Sequence, residues 1–378
     1  MAPAAIRIVS PPELSIASLA IRFRHRFAHA AATRAEAANV LVRLAIGGAV
    51  GLGEGCPRRY VTGETVDGAR DFLAACAPAL LREAVDVASL RHWLAVNAAE
   101  VDRHPSAVCA IEMALLDLFA RRAGVAVEDL VGASRLDRPL PVTAVYGSAS
   151  AIAFHVQRWR FGRAGMGEAK LKLTGDPRRD GARARSLARR GRLRVDANNL
   201  WRDARAAIAG LAPVAPYAWA VEEPVAPRDW PGMVAVAQET GLAIILDESF
   251  TTPADLAAAP EGTRWIANLR VSKLGGVLRT LDAIAVARRR GMAMIVGAQV
   301  GETSLLARAG FLAAAAAGPS LRGFEGAYGT HLLAYDIVRP SVTFDARGRI
   351  APAAVSPGWG LDAEPRLAQA FAAARVKR

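Results

Sequence analysis

The chain has 378 residues, enough for a large core and two domains, and its 52% hydrophobic and 22% charged content describe an ordered globular protein. The net charge of +13 is spread along the chain, with short basic runs such as "RRGRLR" (189–194) and "ARRRG" (287–291) and no basic stripe interleaved with aromatics, so no nucleic-acid partner is expected. Cys56, Cys76 and Cys109 have no metal-site spacing, "MAPAAIRIVSPPELS" has no basic segment leading into an apolar one, and "LAAAAAG" (312–318) is too short to span a bilayer. These features predict a soluble, cytoplasmic protein with no membrane partner.

From residue 168 the sequence repeats a unit: a short apolar run, a polar residue at its end, then an Ala/Arg/Leu-rich segment at helical spacing. The runs are "AKLKL", "LRVDANN", "WAVEEP", "AIILDES", "IANLRVSKLGG", "AMIVGAQVGE" and "LRGFEG". They place Lys172, Asp196, Glu222, Asp247, Lys273, Gln299 and Glu325 at successive gaps of 24, 26, 25, 26, 26 and 26 residues. Segments 179–190, 229–241 and 276–291 carry the helical pattern between them. Such βα repetition predicts a closed parallel barrel with helices outside, function gathering where the strands end. A doubly wound open sheet is the alternative, but no Gly-x-Gly-x-x-Gly follows a first strand.

The first run holds an unusual pair. The chain has four lysines, Lys170, Lys172, Lys273 and Lys377, against 44 arginines. Arginine meets any need for fixed positive charge, whereas lysine can give up its proton when its pKa is lowered. Residues i and i+2 of a strand share a face, so Lys170 and Lys172 both point into the barrel while Leu171 and Leu173 face the helices. Two neighbouring ammonium groups are expected to depress one another's pKa, freeing one as a general base near neutral pH. Asp196, Glu222 and Asp247 close three consecutive runs, where they would repel one another. A divalent cation resolves that repulsion, and hard oxygen ligands favour Mg²⁺.

As an ordered set, "KLK" (170–172), "VDANNLW" (195–201), "VEEP" (221–224), "LDES" (246–249) and "KLGG" (273–276) resemble the enolase superfamily, and within it the muconate-lactonising subgroup. The resemblance covers nearly the whole chain. It implies an α/β fold, a (β/α)7β TIM-like barrel behind an N-terminal α+β capping domain. The corresponding boundaries are 1–130 for the cap, 131–345 for the barrel and 346–378 for a C-terminal segment returning to the cap. It further implies Mg²⁺ on Asp196, Glu222 and Asp247, proton abstraction next to a carboxylate of a small substrate, and a homo-oligomer. The family places its ligand two residues before the proline of "EEP", which selects Glu222 over Glu223. "GLGEGCPRRYVTGET" (51–65) resembles the loop that closes over substrate, and "RFRHRFAHAAATR" (22–34) its companion loop, bringing His25, His29 and Arg34 toward the substrate. "HPSAVCAIEMALLDLFARRAG" (104–124) resembles the helix leading into the barrel, with no role assigned to Glu112 or Asp117.

The sequence departs from the subgroup at the sixth strand. There the family pattern resembles Lys-x-x-Lys-x-Gly-Gly, with the first lysine acting across the site from the first pair. Here that position is Arg270 and the second is Lys273. Asn268, Arg270 and Ser272 share strand parity, which turns Arg270 into the site; a register shift at the strand end would bring in Lys273 instead. Arginine binds a carboxylate well but is a very poor base. Dipeptide epimerases of the family carry an Asp-x-Asp on the last strand, and "FEG" offers only Glu325. Asn198, Glu223, Glu248, Gln299 and Glu302 are further substrate-binding or auxiliary candidates, Glu302 as a proton carrier or a helix cap. The expected function is a Mg²⁺-dependent one-base isomerase or lyase, similar to a cycloisomerase or dehydratase, using Lys172 as base with Lys170 and Arg270. The alternatives are a two-base amino-acid or dipeptide racemase using Lys273, and a non-catalytic anion-binding protein.

Overall fold

A computed structural model describes residues 10–29, 32–147, 150–326 and 331–375; for 25–29, 32–34 and 375 the description is of the backbone alone. The chain opens with an antiparallel meander of β1 (Glu13–His29), β2 (Ala32–Ile46) and β3 (Ala49–Gly55). Gly47 and Gly48, at φ of 55° and 80°, make the two-residue turn between β2 and β3. Residues 22–29 and 32–34 therefore belong to the paired strands β1 and β2 rather than to a free loop, Phe27 pairing with Arg34 and His29 with Ala32. The side chains of His25, His29 and Arg34 lie outside the described residues.

Residues 51–55 also depart from expectation. They form the buried strand β3, not part of a lid. The glycines of "GLGEG" recur every second residue and so line one face of the strand. That face lies directly on the helix Pro105–Ala123: a Cβ on Gly53 would sit 1.9 Å from the carbonyl oxygen of Ala110. Backbone-to-backbone approach of this kind leaves room for hydrogen only. The helix is in turn buried on every side from Pro105 to Ala120.

The barrel follows. A short β4 (Leu140–Pro141) pairs with Arg349–Ile350. β5 (Thr143–Tyr146), β6 (Glu168–Lys172), β7 (Arg192–Asp196), β8 (Ala220–Glu222), β9 (Ala243–Leu246), β10 (Trp265–Leu269), β11 (Ala293–Val296) and β12 (Leu321–Phe324) then lie side by side in sequence order, all parallel. Helices Pro177–Ala188, Trp230–Thr240 and Val277–Arg289 fall where the helical spacing predicts them. The first two start at aspartates whose side chains accept main-chain N–H groups, Asp176 from Arg178 and Arg179, Asp229 from Gly232. Inside the barrel, Ala220, Ala243, Ile245, Ile266 and Ile295 form a separate apolar cluster. The terminal helix Pro365–Arg375 packs against β1. Among the described residues no disulfide joins the cysteines, and no helix is long and apolar enough to cross a membrane.

Two acidic residues of the cap helix tie the molecule together. Asp117 accepts the main-chain N–H groups of Leu52 and Trp359, each at 2.9 Å, and Nε of Arg121 at 3.0 Å. Glu112 accepts the N–H of Leu278 at 2.8 Å, at the start of the barrel helix Val277–Arg289. Burial raises the Glu112 carboxyl from 4.5 to about 7. Between those values the folded chain holds a proton that the unfolded chain releases, so this group's contribution to stability falls as pH rises from about 4.5 to about 7. Glu112→Gln keeps an acceptor for Leu278 and removes the titration. Urea unfolding at pH 5 and pH 8 is expected to show the variant gaining on the native chain by about 1–3 kcal/mol across that interval; parallel stabilities would contradict the assignment.

Candidate active site at the barrel mouth

The strand ends bring most of the expected residues together. Lys170, Lys172, Asn198, Glu248, Arg270, Gln299 and Glu325 line one cavity of about 60 Å³. Tyr60, Val145, Ala298, Val300, Gly301 and Leu332 complete its wall. Lys170 and Lys172 enter from β6 and Arg270 from the end of β10, four strands away in an eight-stranded barrel and hence on the opposite wall.

The charges interlock. Nζ of Lys170 lies 2.8 Å from Glu222, 3.1 Å from Asp196 and 3.3 Å from Glu325. Lys172 donates to Oδ2 of Asp196 at 2.8 Å and to Oδ1 of Asn198 at 2.7 Å. Arg270 donates to Asp247 and, at 3.4 Å, to Oε1 of Gln299; its guanidinium is 3.7 Å from Glu222. Lys273 is directed elsewhere. It is fully buried beneath the cavity wall, with Nζ donating to Oδ1 of Asp247 at 2.9 Å, the carbonyl of Asp247 at 2.7 Å and the carbonyl of Asn268 at 3.1 Å. All three ammonium protons are thereby committed. Strand parity ends at Leu269: Ser272, expected on the face of Arg270, accepts instead the N–H of Cys56.

For Lys170 the expected depression is not what the surroundings produce. Burial would lower Lys170, but Asp196, Glu222 and Glu325 outweigh it and hold the ammonium well above its ordinary value. Asp196 is buried yet held far below the carboxylate range by Lys170 and Lys172, and Asp247 falls to about 2 through Arg270 and Lys273. Glu222 is the exception: burial, then the Asp196 charge, push it up to about 8. Glu248 rises to about 8 by burial and the adjacent Asp247.

Two auxiliary candidates lie outside the cavity lining. Glu223, at φ 42°, turns away and accepts the N–H groups of Asp247 and Ser249 at 2.6 and 2.7 Å, fixing the loop after β9. Glu302 accepts the N–H of Gln299 at 3.0 Å, and burial pushes it up to about 8.

Several residues of the site were not singled out in the sequence. Arg194 is fully buried, donating to Glu168, to Glu325 at 2.7 Å and to Thr143 at 3.3 Å. Its i−2 relation to Asp196 was the available signal. Gly323 leaves it room, since a Cβ there would meet the guanidinium at 2.7 Å. Tyr60 reaches the cavity from a segment anchored by Arg58, which donates to Oδ1 of Asn39 and the carbonyl of Val300, both at 2.8 Å. Glu54 completes that joint, accepting from Asn39 at 2.6 Å and from the Thr303 hydroxyl at 2.6 Å.

The donor set suits Mg²⁺. Asp196, Glu222 and Asp247 carry hard carboxylate oxygens at the ends of three adjacent strands. Oε2 of Glu222 is buried and, although 2.8 Å from Lys170, receives no aligned hydrogen bond. As arranged, no three His, Cys, Asp or Glu side chains among the described residues converge on an ion position, because Lys170 lies between Asp196 and Glu222 and Arg270 between Glu222 and Asp247.

Residues 13–132 match the mandelate racemase / muconate lactonizing enzyme N-terminal domain, and residues 153–367 the enolase C-terminal domain-like family. The chain belongs to the enolase superfamily. Within it, the chain is 32% identical to an aromatic dipeptide epimerase of Herpetosiphon aurantiacus over 72% of its own length and 78% of that protein's. The fold matches a dipeptide epimerase from Methylococcus capsulatus, complexed with Mg and the dipeptide L-Arg-D-Lys, at a TM-score of 0.82, 25% identity and coverage of 93% and 99%. It also matches the muconate lactonizing enzyme of Pseudomonas fluorescens, complexed with muconolactone, at a TM-score of 0.84, 23% identity and coverage of 98% and 100%.

Lys273→Met tests the separation of the two cations near Asp247. Removing one partner of a buried pair strands the other, at a cost of about 3–5 kcal/mol. The variant is expected to show that loss in chemical unfolding. A variant as stable as the native chain would mean that Lys273 does not hold Asp247.

Proposed function

We propose that the chain removes a proton α to the carboxylate of a small acid from one face, as a Mg²⁺-dependent isomerase or lyase of the cycloisomerase or dehydratase kind. The observation that carries this reading is Arg270 on the cavity wall opposite Lys170 and Lys172, with Lys273 held away from it. Asp196, Glu222 and Asp247 would hold Mg²⁺, which when bound supplies a Lewis acid for the substrate's carboxylate oxygens.

The remaining work falls to side chains of this chain. Lys172, the more accessible of the pair, takes the α-proton as its free amine, its Nζ aimed by Asp196 and Asn198. Lys170 stays charged between its carboxylates and donates to the oxyanion that develops as the proton leaves. Arg270 adds fixed positive charge from the opposite wall and cannot accept a proton. The intermediate then collapses by expelling a β-substituent, by ring opening or closure, or by reprotonation on the lysine side.

The names of the relatives favour a second reading, epimerisation of a dipeptide, which needs a base on each face of the α-carbon. Lys273 would have to leave Asp247 and Asn268 to serve. Incubation in D₂O with Mg²⁺ and dipeptides, N-acylamino acids, hydroxy acids and cyclic amino acids separates the two. Deuterium entering one enantiomer only, or elimination without racemisation, with loss of at least about 10²-fold in Lys172→Ala, is the expected result. Deuterium in both enantiomers of one acid would overturn the one-base reading. No exchange with any acid would favour a non-catalytic anion-binding protein.

A further inference from the structure

A second cavity, of about 620 Å³, opens at the other end of the barrel, where the strands begin. Arg192 starts β7, Arg264 precedes β10, Arg289 and Arg290 lie where the helix before β11 ends, and Arg322 belongs to β12; all five line it. Arg192 of the run 189–194 and Arg289 and Arg290 of the run 287–291, distant in the sequence, are thus brought to one cleft by the closing of the barrel. Glu261 is the lone acidic group of the lining.

None of the five arginines forms an ion pair among the described residues, whereas the arginines of the active site and the barrel core are paired. Arg290 is a strut, donating to the carbonyls of Leu256 and Ala259. Arg264 and Arg322 each donate to nearby carbonyls and keep further N–H groups. Arg192 lies 4.6 Å over the ring of Trp219, a stack that steadies the guanidinium and leaves its edge available. Arg192, Arg264, Arg289 and Arg322 are exposed. Five converging guanidiniums against the single lining carboxylate of Glu261 create a positive cleft, and their planar forks match phosphate and carboxylate oxygens. The volume lies in the range of small-ligand sites. A nucleic-acid strand is disfavoured: Arg192 covers the Trp219 ring and Trp265 is buried, so no aromatic platform is left for bases.

We propose that this cleft binds a small polyanion bearing two or more phosphate or carboxylate groups, at a site separate from the active-site cavity. Isothermal titration of the full-length protein with pyrophosphate and with citrate tests it, alongside the double variant Arg192→Ser/Arg289→Ser, whose positions are exposed, and the active-site variant Arg270→Met. One site per chain is expected, weakened about 10-fold or more in the double variant and unchanged in Arg270→Met. Preference for pyrophosphate or for citrate then assigns the ligand to phosphates or carboxylates, and either upholds the proposal. Absence of binding, binding insensitive to the double variant, or binding lost in Arg270→Met would overturn it. Tighter binding of a single-stranded oligonucleotide, lost in the double variant, would overturn its small-molecule form.

Discussion

The buried charge network in the upper half of the barrel is the constraint on which the other features depend. Asp196, Glu222, Glu223, Asp247, Glu248, Glu302 and Glu325 share this region with Lys170, Lys172, Lys273, Arg194 and Arg270. Carboxylates outnumber cations, and isolated charge of this kind is costly away from water. The surplus is visible in Glu222, Glu223, Glu248 and Glu302, which all rise to about 7 or 8, chiefly through burial. A site so built favours a protonated or metal-bound state of its acids over a fully ionised one.

That imbalance accounts for the local architecture. Strand ends supply the charges because inward residues recur at i and i+2, so each strand contributes one or two groups to a common layer. The apolar cluster of Ala220, Ala243, Ile245, Ile266 and Ile295 fills another part of the barrel interior. The cap closes the mouth through polar rather than apolar fixings. Glu54, Asn39 and Arg58 bind the main chain around Gly301 and Thr303, and an antiparallel bridge joins Phe23 to Leu333 beside the cavity-lining Leu332.

Much of this was legible in the sequence because it rests on periodicity. The spacing of about 25 residues between successive polar ends from Lys172 to Glu325 is one strand and one helix, the parity of Lys170 with Lys172 holds within β6, and that of Asn268 with Arg270 carries one residue past Leu269. Prediction weakened where a strand stops. Ser272 and Lys273 follow Leu269 in a turn, so their directions are set by tertiary contacts with Cys56 and Asp247, not by alternation. The segment 51–55 was expected in a closing loop on resemblance alone, whereas the period of two of its glycines fits a strand pressed on a helix. Glu112 and Asp117 sit in a helix whose apolar composition gave no hint of partners more than 160 residues away, Leu278 and Trp359. The convergence of Arg192 with Arg289 depends on the closure of the barrel, which a charge count along the chain does not register.

Calorimetric titration with Mg²⁺ at pH 7, in buffers of differing ionisation enthalpy, addresses the charge imbalance most directly. The account predicts one Mg²⁺ per chain, proton release on binding as Glu222 ionises, and loss of both in Glu222→Gln. Absence of binding, or binding that Glu222→Gln leaves intact, would contradict the claim that the barrel's surplus of carboxylate is built around a divalent cation.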